Sequence, residues 1–211
     1  MPVVVHVADS HFCEASRFDE CVAMHQWIAT WVARRHVDLV VHSGDLFERR
    51  STPNERSAAA GWLQSLPCPV VLVRGNHDAD GDVDFMRRLY HRHGIHTAET
   101  PRVLCAGGVN VACLPWPRKA ALLASLGDVP QELAGQAAQE ALRDVLRGLG
   151  GELDELPELP RLLVSHAMVR GSVTSHGQPL IGSDMELGLD DLALARCDGY
   201  ALGHIHASQS W

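Results

Sequence analysis

Short apolar runs recur along the chain, and most of them stop at a compact polar cluster. Residues 2–8 (PVVVHVA), 37–42 (VDLVVH) and 69–73 (PVVLV) are Val-rich with little alternation, as expected of strands buried on both faces. Between them, Phe18, Cys21, Val22, Met24, Ile28, Trp31 and Val32 fall at helical spacing and predict a helix over 18–35. A second helix is predicted over 54–65, directly after Pro53, and a third over 82–92. The order β-α-β-α-β implies a mainly parallel sheet with helices on its faces. Residues 102–106 and 109–114 flank Gly107-Gly108 and read as a hairpin. Residues 131–149 are rich in Ala, Leu and Glu and read as a helix, and 150–160 (GGELDELPELP) as an acidic connection. Two more strands are predicted at 161–165 and 198–202. No repeat or low-complexity segment interrupts this series.

Length and composition narrow the class. A chain of 211 residues with 46% hydrophobic content suits a single domain with one adequate core. It has no run of 18 apolar residues, and the N-terminus lacks the charged start and cleavage site of a signal peptide. No membrane span and a cytoplasmic location are the expectations. The six cysteines form no CxxC pair, which argues against a zinc ribbon and a disulfide framework. A net charge of −8 lacks the basic footprint usual in nucleic-acid binders. Acids that bind divalent ions, however, reverse the local sign. Lys119 is the only lysine among 18 Lys and Arg residues. That bias suits phosphate contacts but is weighted here toward genome composition.

The chemistry collects where strands end. The clusters are Asp9-Ser10-His11, Gly44-Asp45, Gly75-Asn76-His77-Asp78, His166 and Gly203-His204-Ile205-His206. In open α/β sheets, sites form at the carboxyl ends of strands, so all five clusters are expected along one edge. Carboxylates and an amide mixed with imidazoles suit Mn²⁺, Fe²⁺ or Zn²⁺ better than Mg²⁺ or Ca²⁺. The donors are too many for one ion, and Asp45, alone after its strand, is placed to bridge two. The one-residue spacings Asp9/His11 and His204/His206 are expected to put both side chains on one side of an extended segment.

These five clusters, in this order, resemble the motifs of the calcineurin-like metallophosphoesterases over nearly the whole chain. The fold class implied is α/β: a four-layer sandwich of two packed mixed β-sheets flanked by helices. GDLFERRSTPNERSA, LPWP (Leu114–Pro117), SHAMVRGSVTSHGQPLIGSDMELGLDDL and DGYALGHIH resemble more narrowly the SbcD-type group of DNA repair nuclease subunits. Protein phosphatases of the superfamily carry GDxVDRG and GNHE instead; here Asp78 stands in place of the last Glu. Against that group, residues 1–211 are expected to be a metallophosphoesterase domain cut short before its final strands and a capping domain. Archaeal and eukaryotic relatives place a His shortly after the GD motif, where Glu48 stands here.

The resemblance implies two divalent ions, Mn²⁺ foremost, with Fe²⁺, Zn²⁺ or Mg²⁺ as alternatives. One would be held by Asp9, His11, Asp45 and His206, the other by Asp45, Asn76, His166 and His204. Two ions so placed clamp a phosphate and lower the pKa of a water. His77 is the expected general acid, and Asp78 is expected to hold the His77 ring. Arg49, Arg50 and His176 are candidate substrate contacts, and Trp116 is read as loop packing ahead of base stacking. The remaining histidines, His25 and His42 among them, read as surface or core residues. The expected activity is a DNA exonuclease or endonuclease acting in repair, partnered by an SbcC-like coiled-coil ATPase; the resemblance also admits a homodimer. A small-molecule phosphodiesterase or phosphatase is the alternative.

Overall fold

The computed structural model describes residues 1–174 and 185–210. Ten strands and six α-helices follow in the order β1 (Val4–Val7), α1 (Phe18–Ala33), β2 (Leu39–His42), α2 (Pro53–Ser65), β3 (Val70–Val73), α3 (Asp82–Met86), β4 (Ile95–Ala98), β5 (Arg102–Ala106), β6 (Val109–Leu114), α4 (Lys119–Leu126), α5 (Ala134–Asp154), β7 (Arg161–His166), β8 (Met168–Val169), β9 (Glu186–Leu187), α6 (Leu189–Ala193) and β10 (Gly199–Gly203). The first sheet runs β1-β2-β3-β4 and the second β10-β7-β6-β5; β8 and β9 form a small ribbon. All pairs in the first sheet are parallel. The second is mixed, because only β5 and β6 are joined as an antiparallel hairpin through the Gly107-Gly108 turn.

Strand alternation divides the core into layers. Val40, Val70 and Leu72 face one way, toward Ala29 and Val32 of α1 and Ala59, Trp62 and Leu63 of α2. Leu39, Val41, Val71 and Val73 face the other way and meet Val109, Val111, Cys113, Val164 and Ala201 of the second sheet. Behind that sheet, α5 buries Ala138, Leu142, Leu146, Leu149 and Leu153. Each sheet is therefore covered on both faces, as its continuous Val/Leu runs require. The four-layer sandwich expected from the sequence is the observed one.

Local chemistry explains the boundaries. Thr52 caps α2 in a full capping box with Glu55, and Pro53 takes the first helical position. The helix expected over 82–92 ends at Met86. Beyond it, Leu89 packs on the first core and the His91 ring bonds the Leu66 carbonyl at 2.8 Å, which a continuing helix would prevent. The connection expected from 150 is instead the last turn of α5: Leu149 and Leu153 extend its apolar face, and Gly150 admits the Leu194 carbonyl. Strand β4 and helices α4 and α6 were not legible as periodic segments.

The carboxyl ends of β1, β2, β3, β7 and β10 meet at one edge of the sandwich. The two sheets are joined there by the His166 ring, whose Nδ1 donates to the Ser43 carbonyl at 2.8 Å.

Candidate metal centre

The turns after β1 and β2 are zipped together before any side chain is considered. Asp9 N donates to Gly44 O, His11 N to Asp45 O and Phe12 N to Leu46 O. These turns depart from the extended form expected of them. Asp9 (φ 52°), His11 (φ 47°), Asp45 (φ 54°) and His204 (φ 99°) all adopt left-handed backbone. So the spacing argument gave the right face for the wrong reason: the chain turns at Asp9, His11 and His204 instead of continuing as a strand. Left-handed non-glycine residues cost about 1–3 kcal/mol each and collect at functional sites. Two glycines make room. Gly44 (φ 99°) passes so close to His166 that a Cβ would overlap the ring, and a Cβ on Gly75 would overlap the Asp45 carboxylate.

The side chains then form one continuous row. Asp9 Oδ1 lies 3.7 Å from His206 Nε2. His206 Nε2 faces His11 Nε2 at 3.2 Å. His11 Nε2 lies 3.8 Å from Asp45 Oδ2, and the same oxygen lies 3.3 Å from His166 Nε2. Asn76 Oδ1 completes the row, 2.8 Å from His166 Nε2 and 3.2 Å from His204 Nδ1. The seven expected ligands are thus brought together. His166 Nδ1 donates to Ser43, so its Nε2 points into the row.

This donor set fits divalent cations. Asp9, His11 and His206 place one donor atom each within 4.8 Å of one another, and so do Asp9, Asp45 and His166. Two imidazole nitrogens facing one another at 3.2 Å are stabilised by a cation between them. Electrostatics agree. Burial raises the Asp9 carboxyl, an effect that the charge on His166 only partly offsets. Burial also works against the Asp45 charge, yet its bond to His166 and the His77 amide bring that carboxyl down to about 2. Burial and the neighbouring His166 push His204 down to about 4, which keeps one of its ring nitrogens available as a lone-pair donor.

The flanking residues occupy different places. The His77 ring sits beside His11, centroids 5.1 Å apart, with Nδ1 bonded to the Glu48 carbonyl at 3.0 Å. Asp78 does not hold that ring, contrary to expectation. Its carboxylate is buried and accepts from the Phe47 and Gly75 amides, so it ties the second and third turns together; burial raises it to about 6. The carboxylate beside the rings is Glu48, 2.7 Å from His11 Nδ1 and 3.6 Å from His77 Nδ1. Its spacing of three from Asp45 was the available signal. Arg49 is engaged by buried Glu55 (3.2 Å) and donates to Cys13 Sγ, while Arg50 is exposed. His176 lies outside the described residues. Trp116 stands against His204, centroids 4.8 Å apart. A hollow of about 670 Å³ opens on the other flank, bordered by Asp9, His11 and Glu48.

The sequence model of calcineurin-like phosphoesterases matches residues 2–208. The chain belongs to that family. It is accordingly a metal-dependent phosphoester hydrolase, and the row of donors lies at the edge where that chemistry is expected. Among curated proteins, the chain is 25% identical over 229 residues to the SbcD subunit of the SbcCD nuclease of Bacillus subtilis (strain 168), a match covering 98% of this chain. The chain spans 57% of that relative's length. A solved structure of a protein of unknown function from Aquifex aeolicus aligns over 89% of each chain with 15% identity and a TM-score of 0.39, a likeness too low to support an argument. No helix among the described residues is long and apolar enough to cross a membrane.

Proposed function

We propose that the chain is a two-metal phosphodiester hydrolase acting on DNA, a nuclease of the SbcD type. One observation carries the two-metal reading: Asp45 Oδ2 stands between His11 Nε2 and His166 Nε2, at 3.8 and 3.3 Å. That oxygen is shared by both halves of the row. Asp9, His11, Asp45 and His206 would hold one ion, and Asp45, Asn76, His166 and His204 the other. Mn²⁺ suits this mixed set best, with Fe²⁺, Zn²⁺ or Mg²⁺ as alternatives. When bound, two such ions neutralise charge on the phosphate and acidify a water enough to attack at neutral pH.

The chain's own groups do the rest. Asn76 contributes an oxygen without charge, which limits repulsion of an anionic phosphate. The His77 ring is partly exposed and fixed through Nδ1 by the Glu48 carbonyl. In the doubly protonated ring, Nε2–H is then free to deliver its proton to the departing oxygen. The hollow bordered by Asp9, His11 and Glu48 offers room for a group attached to the phosphate.

The DNA assignment draws its support from the curated Bacillus nuclease. An SbcC-like coiled-coil ATPase partner, a homodimer and a cytoplasmic location are proposed alongside it. The second reading, a small-molecule phosphodiesterase or phosphatase, is favoured by the net charge of −8 and by Arg49 being tied to Glu55. End-labelled linear duplex DNA in Mn²⁺, with His77→Ala as control, separates them. Metal-dependent shortening that the variant loses supports the nuclease. Cleavage of an aryl phosphodiester with intact DNA supports the second reading.

A further inference from the structure

The middle residue of the Asp9-Ser10-His11 turn points away from the row of donors. Ser10 Oγ lies 2.8 Å from His25 Nε2 and 2.8 Å from His42 Nε2. Both rings are buried, and His42 is wholly so. Their proton positions follow from the partners. His25 Nδ1 faces the Cys21 carbonyl at 2.8 Å and must donate to it. A neutral His25 then offers Nε2 as an acceptor, which the Ser10 hydroxyl fills. Ser10 has only that one proton, so His42 Nε2–H must donate to Ser10. His42 Nδ1 is left a bare lone pair, and it is indeed a buried atom without a hydrogen-bond partner. With both rings neutral, only one arrangement of protons satisfies the chain His42→Ser10→His25→Cys21.

We propose that this chain is a positioning element for the metal centre. It pins the turn so that Asp9 and His11 present their donors to Asp45 and His206. The proposal rests on the reading that Asp9 and His11 are metal ligands. Three observations carry it. Ser10 lies between two left-handed residues, Asp9 and His11, and its hydroxyl adds a side-chain anchor to the backbone bonds that tie this turn to the second one. Its side chain points into the core while those of its neighbours point to the metal face. The anchor is itself rigid: the His25 ring stands edge-on to Trp62 of α2 and tilted on Phe12, with both centroid distances 4.5 Å. Packing of α1 and α2 on the first sheet is therefore transmitted to the turn that carries Asp9 and His11 through the Ser10 hydroxyl, beside the Cys21 thiol that donates to the Ser10 carbonyl at 3.4 Å.

Calorimetric titration of the full chain with Mn²⁺ tests this. The wild type is expected to take up two ions. Ser10→Ala should weaken one of them by about tenfold or more, the scale for groups that orient a ligand without touching the metal. The other ion should stay within about twofold. Ser10→Thr, which keeps the hydroxyl, should restore the weakened ion. If Ser10→Ala does not fold, His42→Gln against His42→Leu makes the same contrast at the donor end. Equal weakening of both ions, or a lower melting temperature with both affinities kept, would mean that the chain is only core packing and would overturn the proposal. Asp9→Asn keeps the two readings apart. If it leaves both ions bound as in the wild type, the ligand assignment fails. If it removes one ion while Ser10→Ala binds like the wild type, only the positioning role fails.

Discussion

Asp45 is the residue on which both halves of the centre depend. One carboxylate oxygen faces His11 and His166, and the other accepts the His77 amide at 2.9 Å. Asp45→Ala should therefore abolish uptake of both ions and all hydrolysis, measured by Mn²⁺ titration and an aryl phosphodiester assay. His77→Ala should behave differently. Its hydrogen bond to the row is made by its backbone, so Mn²⁺ uptake should persist while kcat falls about 10²–10⁴-fold, the usual worth of a general acid. Gly75→Ala makes a third contrast. Its Cβ would meet the Asp45 carboxylate and amide, backbone as well as side chain. The expected loss is about 1–3 kcal/mol of stability, seen in urea melts, together with weakened metal uptake. The seven candidate ligands were legible as residues because each belongs to a polar cluster where a strand ends. The roles of Asp78 and Glu48 were not. Which of two neighbouring carboxylates meets an imidazole is decided by left-handed turns, and spacing does not encode those.

At the scale of elements, α1 and α2 dock on the first sheet around two buried imidazoles. Burial lowers His25, and burial with the neighbouring His25 ring lowers His42 well below its ordinary value. In the unfolded chain both titrate near 6.5. The unfolded state therefore binds more protons than the folded one below that pH. Their contribution to stability is complete above about pH 6.5 and is lost as the pH falls, by up to about 1.4 kcal/mol per pH unit for each ring. Urea melts between pH 7.5 and 5 should show this slope, and His42→Gln should flatten it by about one ring's share. An unchanged slope would mean that the ring is not held neutral. Strong periodicity made α1, α2 and the core of α5 readable. It failed for α3, where tertiary contacts of Leu89 and His91 override local propensity. It failed again at the end of α5, where a glycine pair reads as a break but Gly150 lets the Leu194 carbonyl, just after α6, approach closely.

At the scale of the whole molecule, the donors come from both sheets. Asp9, His11, Asp45 and Asn76 follow strands of the first, and His166, His204 and His206 follow strands of the second. Strand burial predicted a mainly parallel sheet with helices on its faces, and the four-layer order came from the family resemblance carried by the motifs. The edge-to-edge approach of the sheets at Ser43 and His166 was not legible, since no local pattern specifies it. Ions bound in this row would clamp one sheet to the other, and the unfolded chain has no such site. Binding must then raise stability by mass action. With free Mn²⁺ at about 100 times the dissociation constant of one site, the gain is about 2.7 kcal/mol. For a chain of this length that corresponds to a rise in melting temperature of about 5–10 °C. Differential scanning fluorimetry with and without Mn²⁺ measures it, and a chelator should reverse it. Asp45→Ala should show no rise, because neither half of the row is complete without that oxygen. A variant confined to the second sheet, His204→Ala, should keep part of it, because Asp9, His11, Asp45 and His206 still draw on both sheets. Full stabilisation in Asp45→Ala would place the ions elsewhere on the molecule and remove the shared carboxylate from the mechanism.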